Sequence, residues 1–114
     1  MSKFFLTRRT NIDLLEIEDY SLRKWGEDQT AIYMDDLYRR FAEIAKKPDV
    51  GKLRYNRSFP FYMAPVREHF AIYEPIDSGI IIATVLHSRR DIETIVRNMA
   101  VTLSKEIVDM ESKI

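Results

Sequence analysis

Ile80-Ile81-Ile82-Ala83-Thr84-Val85-Leu86 runs without a break into His87-Ser88-Arg89-Arg90-Asp91. An apolar, largely β-branched run of this length reads as a strand covered on both faces, and the abrupt change to polar residues marks where the chain surfaces. That exit delivers one imidazole and two guanidinium groups to a sheet edge. The candidate functional residues therefore begin with His87, Arg89 and Arg90.

Working back from this strand, Ser58 to Ala64 and Glu68 to Glu74 are aromatic-rich segments separated by Pro65-Val66-Arg67, which has the look of a hairpin connection. Pro75-Ile76-Asp77-Ser78-Gly79 is a second turn, built from residues that favour one. Pro60 cannot donate to a ladder, so the first strand is irregular or at an edge there. Three strands closed by tight turns predict an antiparallel meander.

Nearer the amino end, Lys3 to Thr7 is short and β-prone and reads as an opening strand. Thr10 with Asp13 has the form of a capping box, so a helix is expected to begin there. Leu14, Ile17, Ser21 and Trp25 share one helical face, and Gly26 is placed to end that helix. Tyr33, Leu37, Phe41 and Ile44 mark a second helix that stops at Pro48 and Gly51. The order strand, helix, helix, strand, strand, strand predicts an α+β fold, with the helix hairpin packed on one face of an antiparallel sheet.

Beyond Asp91, the residues Val96, Ala100, Leu103, Ile107, Met110 and Ile114 form a heptad seam on a helix of about six turns. Either the seam covers the otherwise wet face of the sheet, or it is a partner or homodimer helix. A membrane-surface helix fits poorly, because Lys105 and Lys113 are balanced by Glu106, Asp109 and Glu111.

Composition narrows the function classes. A chain of 114 residues is one domain by size. Its 18 basic and 18 acidic residues cancel, so no global field draws it to nucleic acid or an anionic membrane. There is no cysteine for a disulfide or thiolate site, and two histidines are too few for most zinc sites. Met1 to Leu6 is too short for a signal peptide. The expectation is a cytoplasmic protein with no metal, no cofactor, no membrane and no direct sequence-specific nucleic-acid partner.

Each candidate has a plainer reading beside it. His87 is either a proton carrier near neutrality or a hydrogen-bonded strand end. Arg89 and Arg90 either grip an acidic surface through forked donors or pair with Asp91 and Glu93. Trp25 is expected first as packing inside the helix hairpin and second as part of a partner groove. Lys52, Arg54, Tyr55 and Arg57 form either a nucleic-acid-stacking run or a solvated loop.

Taken in order, Asp13-Leu14, Glu16-Ile17, Tyr20, Trp25-Gly26, Tyr33, Leu37, Phe41, Pro48 and Gly51, then Ser58-Phe59-Pro60, Ile72-Tyr73 and Val85-Leu86-His87 with Arg89-Arg90-Asp91, carry a resemblance. Together they are similar to the ParE branch of the RelE/ParE toxin superfamily. The resemblance implies a toxin domain over 1–95 with a helical extension over 96–114. It also implies a protein that inhibits DNA gyrase by binding, through His87, Arg89 and Arg90, rather than an enzyme. A ParD-like antitoxin is the implied partner, with Arg8, Arg9, Tyr20, Trp25, Arg39 and Arg40 as candidate contacts. The RelE branch offers an alternative, a ribosome-dependent nuclease using His87, Arg89, Arg90 and Arg67. A non-toxic antitoxin-binding module is the third reading.

Overall fold

The computed structural model describes residues 2–54 and 60–114. The chain runs through β1 (Lys3–Leu6), α1 (Arg8–Lys46), a 3-10 turn (Pro48–Val50), β2 (Lys52–Arg54), β3 (Phe61–Val66), β4 (His69–Ile76), β5 (Gly79–His87) and α2 (Ile92–Glu111). The sheet order is β1-β5-β4-β3-β2. The expected meander is present as β3-β4-β5, and β2 adds an antiparallel edge that the sequence does not announce. Three residues are too few to show a period. The sheet is mixed rather than wholly antiparallel, because β1 lies parallel to β5.

Two turns shift from their expected places. β3 continues through Val66, so the hairpin turns at Arg67, which takes a φ of 56°, and Glu68. Pro65 is tolerated in β3 because β2 stops opposite Met63, which leaves that edge open. Of the basic run, Lys52 and Arg54 lie in β2, while Tyr55 and Arg57 are outside the described residues. At the other hairpin, Gly79 already belongs to β5. A Cβ there would lie 1.7 Å from the Lys3 carbonyl oxygen, which is why this close approach of β1 needs glycine.

Gly26 breaks α1 as expected, with φ 83° and ψ −178°. The two arms fold into a hairpin, and Thr30 Oγ1 donates to Ser21 Oγ across it at 2.9 Å in a buried contact. Leu14 from the first arm and Leu37, Phe41 and Ile44 from the second pack on Ala64, Val66, Tyr73, Ile80, Ile82 and Val85. The opposite face of the sheet holds Phe61, Ile72, Ile81, Ala83 and Leu86.

α1 starts one turn earlier than the capping box implied. Thr7 is its N-cap, and Thr7 Oγ1 accepts from the Thr10 amide at 3.2 Å. Thr10 and Asp13 have a different task. β1 ends opposite Ile82, so the outer edge of β5 beyond that point has no strand beside it. Side chains of the first turns of α1 take the place of that strand. Thr10 Oγ1 donates to the Ile82 carbonyl at 2.7 Å and Thr7 Oγ1 to the Ala83 carbonyl at 3.0 Å. Asp13 Oδ2 accepts from the Thr84 hydroxyl at 2.5 Å and the Val85 amide at 3.1 Å, and Arg9 pairs with Asp13 Oδ1 at 2.9 Å. Buried backbone groups left without partners would be costly, so this seam is required wherever β1 is short.

The heptad seam is buried in cis. Val96, Ala100, Leu103 and Ile107 pack on the second sheet face, Met110 is half-buried, and Ile114 lies past the helix and is exposed. Asp91 caps α2 by accepting from the Thr94 amide at 3.3 Å and the Thr94 hydroxyl at 2.7 Å. Of the two readings of the seam, cover for the sheet or a partner or homodimer helix, the packing matches the first. Glu106 of α2 also accepts from the Arg9 amide at 2.7 Å, capping the first turn of α1 from the other side of the sheet.

Asp13→Ala leaves the Thr84 hydroxyl, the Val85 amide and the Arg9 guanidinium without their acceptor. Urea titration is expected to show a loss of about 3 kcal/mol, with Asp13→Asn losing less. Leu103→Ala, which opens a cavity under α2, is expected to cost about 2–5 kcal/mol in the same titration.

Candidate functional site

The strand β5 does not keep one phase along its length. Ile72 pairs with Thr84 but Tyr73 pairs with Ile82, so Ala83 is an extra residue opposite β4. Such a bulge exchanges the two faces for every residue beyond it. Ile80 and Ile82 face the helix hairpin, and after the bulge so does Val85. His87 follows in the same phase and is delivered to the hairpin side.

There it lines a cleft of about 530 Å³ between the first arm of α1 and the end of the β4–β5 hairpin. The floor is Arg9, Asp13, His69 and His87. Tyr20, Lys24 and Trp25 line it from the first arm of α1, and Arg89 and Arg90 from the turn that follows β5. Glu16 and Glu68 add carboxylates to the lining.

His69 and His87 are direct partners across the β4–β5 ladder, with ring centroids 5.1 Å apart in an edge-on contact. Tyr33 Oη lies 2.9 Å from His69 Nδ1. Which of the two donates depends on the His69 tautomer. Burial, reinforced by the neighbouring His87, lowers the His69 pKa from 6.5 to about 4. His69 is therefore neutral at physiological pH. His87 Nδ1 accepts from the Arg89 amide at 3.1 Å, which fixes the orientation of the ring. Burial raises the Asp13 pKa against the opposing pull of Thr84, Val85 and Arg9.

The sequence candidates separate into two groups. His87, Arg89, Arg90, Arg9, Tyr20 and Trp25 share the cleft. Trp25 is not packed inside the hairpin. It is 48% exposed, meets Tyr20 edge-on at 6.1 Å, and both rings lie beneath the Lys24 ammonium. Gly26 turns the chain beside it, leaving this residue at the tip with no second arm to lie against. Arg89 and Arg90 have no ion-pair partner among the described residues, since Asp91 caps α2 and Glu93 pairs with Arg54 at 2.6 Å.

The remaining arginines are elsewhere. Arg67 stacks over Tyr33 at 5.0 Å and pairs with Asp36 at 3.0 Å, so it does not join the other members of the nuclease set. Arg39 is tied to Asp35 at 2.6 Å, and Arg40 donates to the Pro65 carbonyl at 3.0 Å. Arg8 is exposed on the first turn of α1.

Sequence reading missed His69, Tyr33 and Lys24. A ladder counted back from the 77–78 turn sets Leu86 opposite His69, and only the extra residue at Ala83 brings His87 there. Among the described residues no three His, Cys, Asp or Glu side chains gather as a metal site, and no helix is long and apolar enough to cross a membrane.

Because the folded pKa of His69 lies below its unfolded value, its neutral form stabilises the fold fully above pH 6.5. That contribution is lost as pH falls from 6.5 toward 4. The melting temperature is expected to drop across this window, and His69→Phe to flatten the drop.

Comparison with known proteins agrees with this architecture. Residues 4–92 match the family model described as the ParE toxin of the type II toxin-antitoxin system, parDE. The Toxin ParE1 of Caulobacter vibrioides is 30% identical over 87 residues, covering 76% of this chain and 90% of that protein. A solved structure described as the chromosomal ParDE TA system from P. aeruginosa superposes with a TM-score of 0.64 at 16% identity, over 76% of this chain and 96% of the other. The fold is thus shared with that structure, and the matched residues stop where α2 begins. On the strength of the family match, the chain belongs to the ParE toxin family of type II toxin–antitoxin systems.

Proposed function

We propose that this protein inhibits DNA gyrase by binding in the bacterial cytoplasm and is held inactive by a ParD-like antitoxin. One observation carries the reading beyond family membership. The target candidates at the end of β5 and the antitoxin-contact candidates Tyr20 and Trp25 of α1 line the same cleft. An antitoxin segment seated on the aromatic wall covers His87, Arg89 and Arg90, so antitoxin and target exclude each other by occupying one surface. Neutralisation then needs no conformational change in the toxin.

Binding is favoured over bond cleavage. The His87 Nδ1 lone pair is engaged by a backbone amide, and Arg67 is paired outside the cleft. A general base needs a free lone pair within reach of the proton it takes. Both observations support binding over cleavage.

Supercoiling by purified gyrase is expected to stop at micromolar toxin, with cleaved DNA accumulating, while transcripts in a translating extract stay intact. Arg89→Ala combined with Arg90→Ala is expected to weaken inhibition at least tenfold. Antitoxin from the adjacent small open reading frame should restore supercoiling in proportion to its binding. Unimpaired gyrase at these concentrations would sink the reading, and transcripts cut within codons would favour the nuclease.

A further inference from the structure

On the cleft floor both Asp13 oxygens are engaged, by Thr84, Val85 and Arg9, but the donors are not all used. Arg9 places one terminal nitrogen on Asp13, yet its Nε is buried without an acceptor among the described residues. Buried donors are almost always satisfied, so an orphan in the lining of a cleft marks a position suited to a ligand acceptor.

Both histidines add donors of the same kind. A neutral imidazole that accepts at Nδ1 carries its proton on Nε2. His87 accepts there from the Arg89 amide, and His69 does the same in the tautomer that takes the Tyr33 hydroxyl proton. Two Nε2–H groups on directly opposed rings remain to donate. In this tautomer neither ring offers a lone pair to a metal ion, which turns the pair from a metal site into an anion site.

The surroundings select the kind of anion. A carboxylate is an acceptor-only group with two oxygens and about four lone-pair directions, enough for the guanidinium and both imidazoles. Glu16 and Glu68 in the same lining repel a polyanion that carries a charge on every nucleotide, and the chain as a whole has no net charge to attract one. A single acidic side chain meets less repulsion and gains the field of the unpaired Arg89 and Arg90. Beside it, Tyr20 and Trp25 provide an exposed aromatic wall for an apolar neighbour.

We propose that the cleft is a carboxylate-binding site for an acidic peptide segment of a protein partner. One Asp or Glu side chain sits among Arg9 Nε and the Nε2–H groups of His69 and His87, and an adjacent apolar residue rests on Tyr20 and Trp25. This deepens the reading of the cleft as a partner surface by naming the chemistry that the partner must bring.

Trp25 is the only tryptophan of the chain, so its fluorescence reports on the cleft alone. Random twelve-residue peptides are selected on the folded protein, resynthesised, and titrated while Trp25 emission is followed. Binders are expected to share an acidic residue beside an apolar one, and replacing that Glu by Gln is expected to weaken them at least tenfold. Arg9→Lys keeps a charge for Asp13 but removes the Nε donor, and His87→Phe keeps the ring but removes its N–H. Each is expected to erase most of the Glu-over-Gln preference, with Lys113→Ala unchanged. Should Arg9→Lys fail to fold, His87→Phe carries the test alone. The proposal is overturned if no peptide perturbs Trp25, if binders show no Glu-over-Gln preference, if the folded variants retain it, or if oligothymidylate displaces the peptides at comparable concentration. Neither gyrase nor antitoxin enters this experiment, so its failure leaves the toxin reading standing, and a failed supercoiling assay leaves the carboxylate site standing.

Discussion

Four residues of β1 cannot cover nine residues of β5, and the rest of the structure depends on how that shortfall is met. The Thr7 amide still reaches the Ile82 carbonyl at 3.2 Å, but beyond it the carbonyl of Ala83 and the amide of Val85 would be buried without partners. Thr7 Oγ1 and Asp13 supply those partners from the first two turns of α1, and Thr10 adds a second donor to the Ile82 carbonyl. Because hydrogen bonds are short and directional, this seam fixes the depth and direction of α1 on the sheet more tightly than apolar contact alone can. The first arm is thereby held over the end of β5, and the cleft is the space left between them. Asp13 is a charged group in a place that disfavours charge, and Arg9 keeps it there.

The bulge at Ala83 is the second constraint, and it acts on chemistry more than on stability. It turns His87 toward the helix hairpin and sets it against His69 across the ladder. Tyr33 and the Arg89 amide then engage Nδ1 of the two rings, one each. Arg9, Arg89 and Arg90 line the same cleft, and these donors beside the exposed Tyr20 and Trp25 are what the proposed carboxylate site rests on.

α2 lies outside the residues that match the family, yet it is no loose appendage. It buries Val96, Ala100, Leu103 and Ile107 on a sheet face that would otherwise expose Ile72, Ile81 and Leu86. Glu106 reaches past the sheet edge to the Arg9 amide. The helix that closes the second core is thus bonded to the same turn of α1 that anchors the first core and lines the cleft.

Most of the fold is legible in the sequence because local physics dictates it. The β-branched run at Ile80, the left-handed break at Gly26 and the heptad seam after Asp91 each declare their element without reference to anything distant. The capping box was misread because Thr10 and Asp13 have the right spacing for a local bond, and only the missing length of β1 gives them a nonlocal one. Arg89, Arg90 and His87 stood out as the polar end of an apolar strand, whereas His69 and Tyr33 did not, since one extra residue in β5 decides whether the histidines meet. The sequence by itself determined the elements other than β2, their order and the polar exit of β5, because propensity and periodicity are properties of neighbouring residues. Only the tertiary structure decided the register, the partners of the histidines and the cleft, because those depend on which groups are left unpaired once distant segments come together.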